Sequence, residues 1–327
     1  MTGPGGASAH WRPDATLESL QERAALYGAV RSFFAARGVL EVETPILSRH
    51  ATVDRHIESF RTSDGRWLHT SPEFAMKRLL AAGSGPIWQI ARVFRVDEQG
   101  RHHNPEFSML EWYRLGFDHH DLMDEVAELL AACGIAGIAG DCDGLSYREA
   151  FEQHAGFDPL AIDAADLRTR MRAQGIAEPS GLTADELADR DFWLDLWMSL
   201  VVGPRLGADA PEFIYDFPAS QAALARVRDD DPPVAERFEL FWRGIELANG
   251  FHELTDAAEQ ARRFIADQDW RRERGRVVPP YDASLIDAMA TGLPPCAGVA
   301  LGLDRLLMLK LGLGSLAETL AFPSDRA

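Results

Sequence analysis

The segment from Phe94 to Tyr113 (FRVDEQGRHHNPEFSMLEWY) holds the densest group of side chains in this chain that could perform chemistry. It contains arginines, carboxylates, two histidines and an asparagine, followed by a phenylalanine. A nucleotide site needs such side chains: a cation for a phosphate, a carboxylate and an amide for base or ribose edges, and an aromatic ring for stacking. Apolar residues on both sides predict two strands joined by a charged loop. On chemistry alone, a nucleotide site and an ordinary charged hairpin both remain open.

Two more segments favour the nucleotide site. Gly298–Leu309 (GVALGLDRLLML) places glycines where the backbone must approach another group closely, and an Asp-Arg pair then begins an apolar helix. Gly38–Pro45 (GVLEVETP) follows a long amphipathic helix and ends at a proline. In this order and at these separations, the segments at 38–45, 94–113 and 298–309 resemble motifs 1, 2 and 3 of class II aminoacyl-tRNA synthetases.

Three shorter segments narrow the resemblance to the lysine-specific branch of that class. They are Ser71–Glu73 (SPE), Glu106–Tyr113 (EFSMLEWY) and Glu246–Leu254 (ELANGFHEL). The similarity covers nearly the whole chain from about Ala15 onward, apart from a middle insertion. Within the branch, the chain is most similar to the short paralogues of lysyl-tRNA synthetase that attach (R)-β-lysine to elongation factor P. The resemblance implies a ligase that uses ATP and Mg²⁺.

The order of predicted elements favours an α+β domain on a mostly antiparallel sheet. Apolar periodicity predicts helices over 16–37, 74–82 and 121–133, and strands over 39–42, 67–70, 87–96, 106–113, 213–216 and 238–247. Residues 1–15 are expected to be a flexible leader, and 16–327 one catalytic domain with a helical insertion at about 134–211. We expect no anticodon-binding OB-fold domain. The resemblance implies a six-stranded antiparallel sheet flanked by helices, and a homodimer formed through motif 1.

Composition limits the function classes. With 46% hydrophobic residues among 327, the chain can bury a large core, and no apolar run approaches the ~18 residues of a membrane span. No secretory signal is visible. Three cysteines without a CxxC pair suit a reducing cytoplasm and are expected to be free core residues. The net charge of −18 argues against a nucleic-acid-binding surface. The most basic segment, Arg262–Arg276, alternates with acids like a solvated helix face.

The resemblance assigns an ATP site and two catalytic residues. Arg95 matches the motif 2 arginine that contacts the α-phosphate and the substrate carboxylate, and Arg305 matches the motif 3 arginine at the γ-phosphate. The other residues expected to contact ATP are Val96, Asp97, His103, Asn104, Phe107, Glu246, Leu247 and Gly302. Without the resemblance, Arg95 could form a salt bridge at a strand end, and Phe107 could belong to the core. Arg305 could likewise pair with Asp304 at the helix N-terminus.

Glu239 and Glu246 lie seven residues apart, with Gly244 in a predicted turn between them. The resemblance matches both to carboxylates that hold Mg²⁺ against the phosphates of ATP, and carboxylate oxygens are the ligands that Mg²⁺ prefers. The alternative is two solvent-facing acids on strands.

A substrate with two ammonium groups needs buried carboxylates at both ends of its pocket, and a buried carboxylate without a cation would be costly. The resemblance implies a lysine pocket built from Ser71, Pro72, Glu73, Glu111, Tyr113, Asn249, Phe251, Glu253 and Ala300. Period-two alternation alone would also allow Glu111 to face water.

The chain departs from the family pattern at two places. Arg95-Val96-Asp97, followed by Glu98, stands where the family commonly has Arg-Asn-Glu, so the acid for the adenine amino group is shortened or shifted by one position. Ala300 stands where lysyl-tRNA synthetases typically carry glycine, and it matches the elongation factor P paralogues. A methyl group on a pocket wall can favour a ligand of altered shape. We therefore expect Ala300 to disfavour α-lysine relative to (R)-β-lysine.

The predicted function is activation of (R)-β-lysine, or lysine, as an adenylate and its transfer to the ε-amine of one lysine of elongation factor P. No tRNA partner and no membrane contact are expected. Three alternatives stay open: a stand-alone enzyme that aminoacylates RNA, a non-catalytic amino-acid-binding paralogue, and a metabolic enzyme that forms small amides.

Overall fold

A computed structural model describes residues 11–135 and 144–327 of the chain. The strands of these residues are β1 Leu40–Glu41, β2 Leu47–Ser48, β3 Trp67–Leu68, β4 Ile87–Phe94, β5 Glu106–Leu115, β6 Gly144–Ser146, β7 Glu212–Pro218, β8 Val227–Arg228, β9 Val234–Trp242, β10 Ile245–His252 and β11 Cys296–Gly302.

Nine of these strands form one sheet in the order β1-β4-β5-β11-β10-β9-β7-β6, with β8 paired to β9. The six strands from β4 to β7 in this order are antiparallel neighbours, which agrees with the predicted architecture. The sheet has more strands than predicted because the short β1 and β6 add parallel pairs at its edges and β8 adds another antiparallel pair. The two remaining strands, β2 and β3, pair separately.

Helices flank this sheet. They are α1 Leu17–Ala36, α2 Glu73–Ala81, α3 His119–Ala132, α4 Tyr147–Ala155, α5 Ala164–Ala173, α6 Ala184–Ala188, α7 Arg190–Trp197, α8 Ala257–Glu273, α9 Ala283–Gly292 and α10 Leu303–Leu311, and a π-helical turn, Met198–Val202, follows α7. The Thr16 hydroxyl caps α1 by accepting a hydrogen bond from Ser19 N. Gly38, predicted to stop this helix, has a φ of 65° just beyond its end, a conformation that glycine adopts without strain.

Two helical layers enclose the sheet. α1, α3 and α10 cover one face, where Phe34, Leu122 and Leu306 pack against Trp112 and Leu301 of the strands. On the other face, α2, α8 and α9 pack together at one end. At the other end of that face, α4, α5 and α7 pack against β7 and β9. The space between these two groups of helices is left open above the central strands.

Two predicted elements need correction. Residues 238–247, predicted as one strand, are parts of β9 and β10, which are joined by a two-residue turn. Arg243 and Gly244 both have positive φ angles, 51° and 73°, as the tight turn of a β-hairpin requires. The insertion at 134–211 is not entirely helical, because β6 joins the main sheet beside β7. Part of the insertion, 136–143, lies outside the described residues.

The basic segment at 262–276 also differs from its prediction. It forms most of α8, but Arg271 is only 1% exposed. Its guanidinium donates to the carbonyl oxygens of Val277 and Asp54 and to the Glu58 carboxylate. Arg271 therefore fixes the loop before β3 to α8 instead of facing solvent.

The cysteine prediction is confirmed for the residues that the structure describes. Cys133 and Cys296 are both buried and free, whereas Cys142 lies outside the described residues. Burial raises the pKa of both thiols, to about 11 and about 12 respectively, so neither is a ready nucleophile. Among the helices of residues 11–135 and 144–327, none is long and apolar enough to cross a membrane.

Candidate active site

A cavity of about 1400 Å³ opens above the central strands, between the two groups of helices. Side chains alternate along a strand, so every second residue of these strands points into it. In the sheet register, Ala300 of β11 lies between Glu111 of β5 and Asn249 of β10. Asn249 in turn lies beside Glu239 of β9. These four predicted site residues therefore form one row across four strands and line the cavity.

The neighbouring row explains one of the glycines in motif 3. Gly298 lies between Tyr113 and Phe251 in the register. A Cβ atom on Gly298 would overlap the Tyr113 ring and lie 2.5 Å from Glu253 Oε1. Only glycine lets this ring and this carboxylate lie directly on the sheet, as the sequence predicted for close backbone approach in this segment.

Glu111 is buried at the centre of the cavity wall, with 2% exposure, so the water-facing alternative is wrong. Its two oxygens accept hydrogen bonds from Ser71 Oγ and from the Tyr113 hydroxyl, each at 2.7 Å. Burial raises the pKa of Glu111 to about 8, and repulsion from Glu73 adds to this, while the two hydrogen bonds oppose it. A carboxylate in this state would be stabilised by a cation that enters the cavity.

Lys77 holds the other two acids of the predicted pocket. Its Nζ atom lies 2.6 Å from Glu73 Oε1 and 2.6 Å from Glu253 Oε2, and the Lys77 side chain is only 1% exposed. Burial alone would lower the pKa of Lys77, but the two carboxylates outweigh it and raise that pKa. The pKa of Glu253 is nevertheless raised to about 8, because burial and the repulsion of Glu73 and Glu111 outweigh the attraction of Lys77. Lys77 therefore pairs with two of the three carboxylates, and Glu111 has no cation in contact within the part of the chain that the structure describes.

Lys77 is not among the residues predicted for the pocket. The signal was present, since Lys77 follows Glu73 by four residues and lies beside the buried Met76 and Leu80 on α2. A Glu–Lys pair at this spacing is usually a surface feature of helices, which is why the spacing alone did not identify a buried cation.

Arg95 follows β4 directly and lies beside the ring of Phe107, with 5.2 Å between the guanidinium carbon and the ring centre. Its Nη1 lies 3.5 Å from Glu98 Oε1, and its buried Nε has no hydrogen-bond partner among the described residues. Phe107 is half-buried at the edge of a small apolar cluster and lines the cavity, so it is not a core residue. A cation with an unused N–H and an aromatic ring thus stand side by side.

Val96 and Asp97 do not reach the cavity, contrary to the prediction. Both lie in a turn after β4 and are exposed, because Val96 N donates to Glu58 O and the chain reverses there. Glu98 lines the cavity instead and lies 3.1 Å from His103 Nε2. The sequence left two possibilities for the acid of motif 2, a shortened side chain at Asp97 or a shift to Glu98. The position of Glu98 on the cavity wall fits the second.

His103 and Asn104 line the same part of the cavity. Burial and the nearby Arg305 lower the pKa of His103, which favours a neutral imidazole. Asn104 is 7% exposed; its Nδ2 donates to Glu106 O at 2.5 Å and its Oδ1 accepts from Ser324 N at 3.1 Å. The Asn104 amide therefore fixes the loop and leaves one N–H toward a ligand.

Arg305 lies in the first turn of α10, and its guanidinium is anchored by two backbone oxygens. Nε donates to His102 O at 3.2 Å and Nη1 to Glu246 O at 3.1 Å. The alternative pairing with Asp304 is wrong, because the buried Asp304 lies 2.6 Å from Arg23 Nη2 and accepts a hydrogen bond from Ser108 N. Arg305 therefore remains directed toward the cavity.

Glu239 and Glu246 face each other across the β9–β10 hairpin. The register shifts at Leu247, and this bulge puts Glu246 opposite Phe241, on the same face as Glu239. Burial first, and then repulsion from Glu246, raises the pKa of Glu239 to about 8, although Arg237 opposes the shift. Two carboxylates that repel each other in a cavity fit the oxygen ligands of a divalent cation. Leu247, Pro72 and Gly302 also line the cavity.

The insertion contributes acids that the sequence analysis did not identify. Asp191 and Asp195 of α7 line the cavity opposite the sheet. Asp195 accepts from Gln221 Nε2 at 3.0 Å, and burial raises its pKa to about 7. Asp191 accepts from Ser220 Oγ at 2.8 Å. No motif marks these acids, so only the packing of α7 reveals that they face the site.

The chain is similar to known enzymes along nearly its full length. Residues 8–326 match the family described as tRNA synthetases class II (D, K and N). The elongation factor P–(R)-β-lysine ligases of Salmonella paratyphi B, Salmonella gallinarum and Salmonella heidelberg are each 49% identical over 332 aligned positions. These positions cover 98% of this chain and 99% of each relative. This chain therefore belongs to the class II tRNA synthetase family of the D, K and N type and, within it, to the elongation factor P–(R)-β-lysine ligases.

Proposed function

We propose that this protein activates (R)-β-lysine, or lysine, with ATP and transfers the acyl group to the ε-amine of one lysine of elongation factor P. The observation that carries this proposal is the acid cluster of the buried Glu111 and Glu253 and the partly buried Glu73, which shares one cavity with Arg95 and Arg305. The cluster supports a substrate with several ammonium groups, and the two arginines support a phosphate-rich co-substrate.

In the first step, a carboxylate oxygen of the amino acid attacks the α-phosphorus of ATP, and the bond to the pyrophosphate oxygen breaks. Arg95, with its unpaired Nε, would contact the incoming carboxylate and the α-phosphate. Arg305, held by two backbone oxygens, would contact the γ-phosphate. Phe107 would stack on adenine beside them. Positioning and charge stabilisation, rather than covalent chemistry, are what such a step requires of the protein.

Glu239 and Glu246 would hold Mg²⁺ against the phosphates. The raised pKa of Glu239 supports this role, because two neighbouring carboxylates without a shared cation repel each other. Bound there, the ion would neutralise charge on the phosphates of ATP. Neither acid is drawn into the lysine pocket, since Glu239 is bonded to Arg237 and not to Lys77.

In the second step, the acceptor amine attacks the acyl carbon, the bond to the AMP oxygen breaks, and the amine loses a proton. Asp191 and Asp195 face the cavity from α7 and would attract the ammonium group of an acceptor lysine. The net charge of −18 and these wall acids disfavour the phosphate backbone of tRNA. We therefore propose a protein acceptor, acting in the cytoplasm, where free cysteines such as Cys133 remain reduced.

A homodimer formed through motif 1 is part of the same proposal. Leu17 of α1 and Leu40 of β1 are 71% and 54% exposed in the single chain. Apolar side chains at these two elements are the kind that a second copy would cover.

Ala300 would set the choice between lysine isomers. It lies between Glu111 and Asn249 in the pocket row, so its methyl group faces the backbone of a bound amino acid. We expect Ala300→Gly to raise the rate of pyrophosphate exchange with α-lysine, relative to (R)-β-lysine, by about 10-fold. Ala91→Gly in β4, outside the cavity lining, controls for the loss of strand stability. An unchanged ratio in Ala300→Gly would remove this role.

The test of the function is the intact mass of elongation factor P after incubation with this protein, ATP, Mg²⁺ and either lysine isomer. We expect a gain of one lysyl unit, faster with (R)-β-lysine, and none with the Arg95→Ala variant. Pyrophosphate exchange without a gain of mass would mean that the acceptor is wrong, and charging of purified tRNA would then identify an aminoacylating enzyme. Amino-acid binding without pyrophosphate exchange would identify a non-catalytic paralogue.

A further inference from the structure

A second group of ligand-type side chains lies on the face of the sheet opposite the cavity. His119 is the first residue of α3, Glu236 belongs to β9, and His252 ends β10. One ligand atom from each of the three lies within 4.8 Å of the others. Their side chains are 2%, 9% and 15% exposed. Neighbouring residues on the two strands, Arg237 and Phe251, point into the cavity, so alternation puts Glu236 and His252 on the other face.

Each of the three residues has a buried polar atom that forms no hydrogen bond. Among the described residues, His119 Nδ1, Glu236 Oε2 and His252 Nδ1 form no hydrogen bond. The last two atoms lie 2.7 Å apart, an ion pair when His252 is protonated, but they form no hydrogen bond. Buried polar atoms are almost always satisfied in folded proteins. Three such atoms in one cluster therefore indicate a ligand that all three share.

The surroundings of His119 prepare it to bind a metal ion. Its Nε2 lies 3.2 Å from Asp216 Oδ1, and Asp216 is held in turn by Arg228 at 2.6 Å. If Nε2 carries the proton and donates it to Asp216, the Nδ1 atom presents a lone pair. A carboxylate behind an imidazole in this way orients the ring and increases its basicity in metal sites.

Two arginines near the cluster do not block it. The closest guanidinium atoms of Arg226 and Arg228 lie 3.6 Å from the oxygens of Glu236, beyond hydrogen-bonding distance. Arg228 is bonded to Asp216 and Asp230 instead. With both imidazoles neutral, the local net charge is −1, which favours a cation. The groups counted are the carboxylates of Glu236, Asp216 and Asp230 and the guanidinium groups of Arg226 and Arg228.

We propose that His119, Glu236 and His252 bind one divalent transition-metal ion of the zinc type. Two imidazoles and one carboxylate suit Zn²⁺ or Co²⁺ and do not suit Mg²⁺, which prefers oxygen ligands. The ion would join the start of α3 to β9 and β10, the strands that carry Glu239 and Asn249 on their other face. The site is separate from the Glu239–Glu246 pair and does not depend on the function proposed above.

The test is metal binding by the full chain after removal of metal with a chelator, in excess Mg²⁺ to occupy oxygen sites. We expect one equivalent of Zn²⁺ by equilibrium dialysis, and a visible absorption spectrum of Co²⁺ in a site of low coordination number. His119→Gln and His252→Gln are each expected to weaken binding by more than about 10-fold. His120→Gln is the matched control, because His120 is exposed and does not belong to the cluster, although its ring centre lies 4.1 Å from that of His119.

Three outcomes would overturn the proposal. The first is that the wild-type protein binds less than one equivalent of Zn²⁺ under these conditions. The second is that His119→Gln and His252→Gln bind as tightly as His120→Gln. The third is that Glu239→Gln abolishes the binding, which would assign the metal to the cavity. The Co²⁺ spectrum of the wild-type protein keeps the test valid even if a variant fails to fold.

Discussion

Glutamine in place of Glu111 is expected to reduce lysine-dependent pyrophosphate exchange by about 100-fold or more, because removing one partner of a buried charge pair costs roughly 2–5 kcal/mol. This loss of activity arises in the complex with lysine. There the substrate ammonium would still lie near the Ser71 and Tyr113 hydroxyls but would lack the negative charge of Glu111. The glutamine oxygen can accept a hydrogen bond from one of these hydroxyls and the amide nitrogen can donate to the other, so the pocket keeps its shape.

The same substitution is expected to stabilise the protein without substrate. The pKa of Glu111 is raised from 4.5 to about 8 by burial, so between these pH values the folded protein binds a proton that the unfolded chain does not. The free energy of unfolding therefore falls as the pH rises through this window. Glu111→Gln removes this contribution, so its gain in stability over the wild type should grow from pH 5 to pH 8.

Thermal unfolding at several pH values, together with pyrophosphate exchange, checks both parts. Glu106→Gln is the matched control, since Glu106 lies on the same strand but is partly exposed and pairs with Arg92. Glu106→Gln should change neither the melting temperature nor the rate of pyrophosphate exchange much, because exposed ion pairs contribute little to stability. A lower melting temperature of Glu111→Gln at pH 8 would mean that Glu111 is a structural residue. The proposed role of Glu111 in binding the substrate ammonium would then be wrong.

Most of the cavity lining could be predicted from the sequence because motif residues and strand alternation agree. Glu111 and Tyr113 alternate onto one face of β5, and Asn249 and Phe251 onto the same face from β10, with Glu253 just beyond its end. A sheet with this order then brings them together. The resemblance supplied the order of the strands, which periodicity alone does not contain.

The residues that could not be predicted depend on local irregularities or on packing between distant segments. Glu246 reaches the cavity face only because of the bulge at Leu247, which no local pattern announces. The turn at Val96 and Asp97 leaves Glu98, and not Asp97, along the cavity wall. The His119–Glu236–His252 cluster joins three elements far apart in sequence, so spacing along the chain gives no sign of it.

The lysine pocket combines two ways of keeping carboxylates in a protein interior. Glu111 stays without a cation and is protonated over much of the neutral range, whereas Glu253 and Glu73 share the fixed cation Lys77. A substrate ammonium is therefore attracted to the acid that lacks a partner. The pocket can gain negative charge by loss of a proton when a ligand cation enters, and without a ligand it avoids the full cost of unpaired buried charges.

Methionine in place of Lys77 is expected to lower the free energy of unfolding by about 3–5 kcal/mol near pH 8, the usual result of removing one partner of a buried ion pair. Methionine fills a similar volume, so the loss comes from charge: Glu73 and Glu253 remain together without their cation. The raised pKa of Lys77 means that its stabilising charge is fully present at neutral pH in the wild type. At pH 5 Glu253, whose pKa is raised to about 8, is protonated, so the loss there should be smaller.

Denaturant unfolding at pH 5 and pH 8 measures this difference. Arg78→Met is the matched control, because Arg78 is the next residue of α2, has a half-exposed side chain and lies 3.4 Å from Asp282; its substitution should cost less than about 1 kcal/mol. The double variant Lys77→Met/Glu253→Gln should recover part of the stability at pH 8, since it removes one of the two unpaired charges. If Lys77→Met were equally destabilising at both pH values and the double variant recovered nothing, Lys77 would act through packing. The charge balance of the pocket would then have to be explained without it.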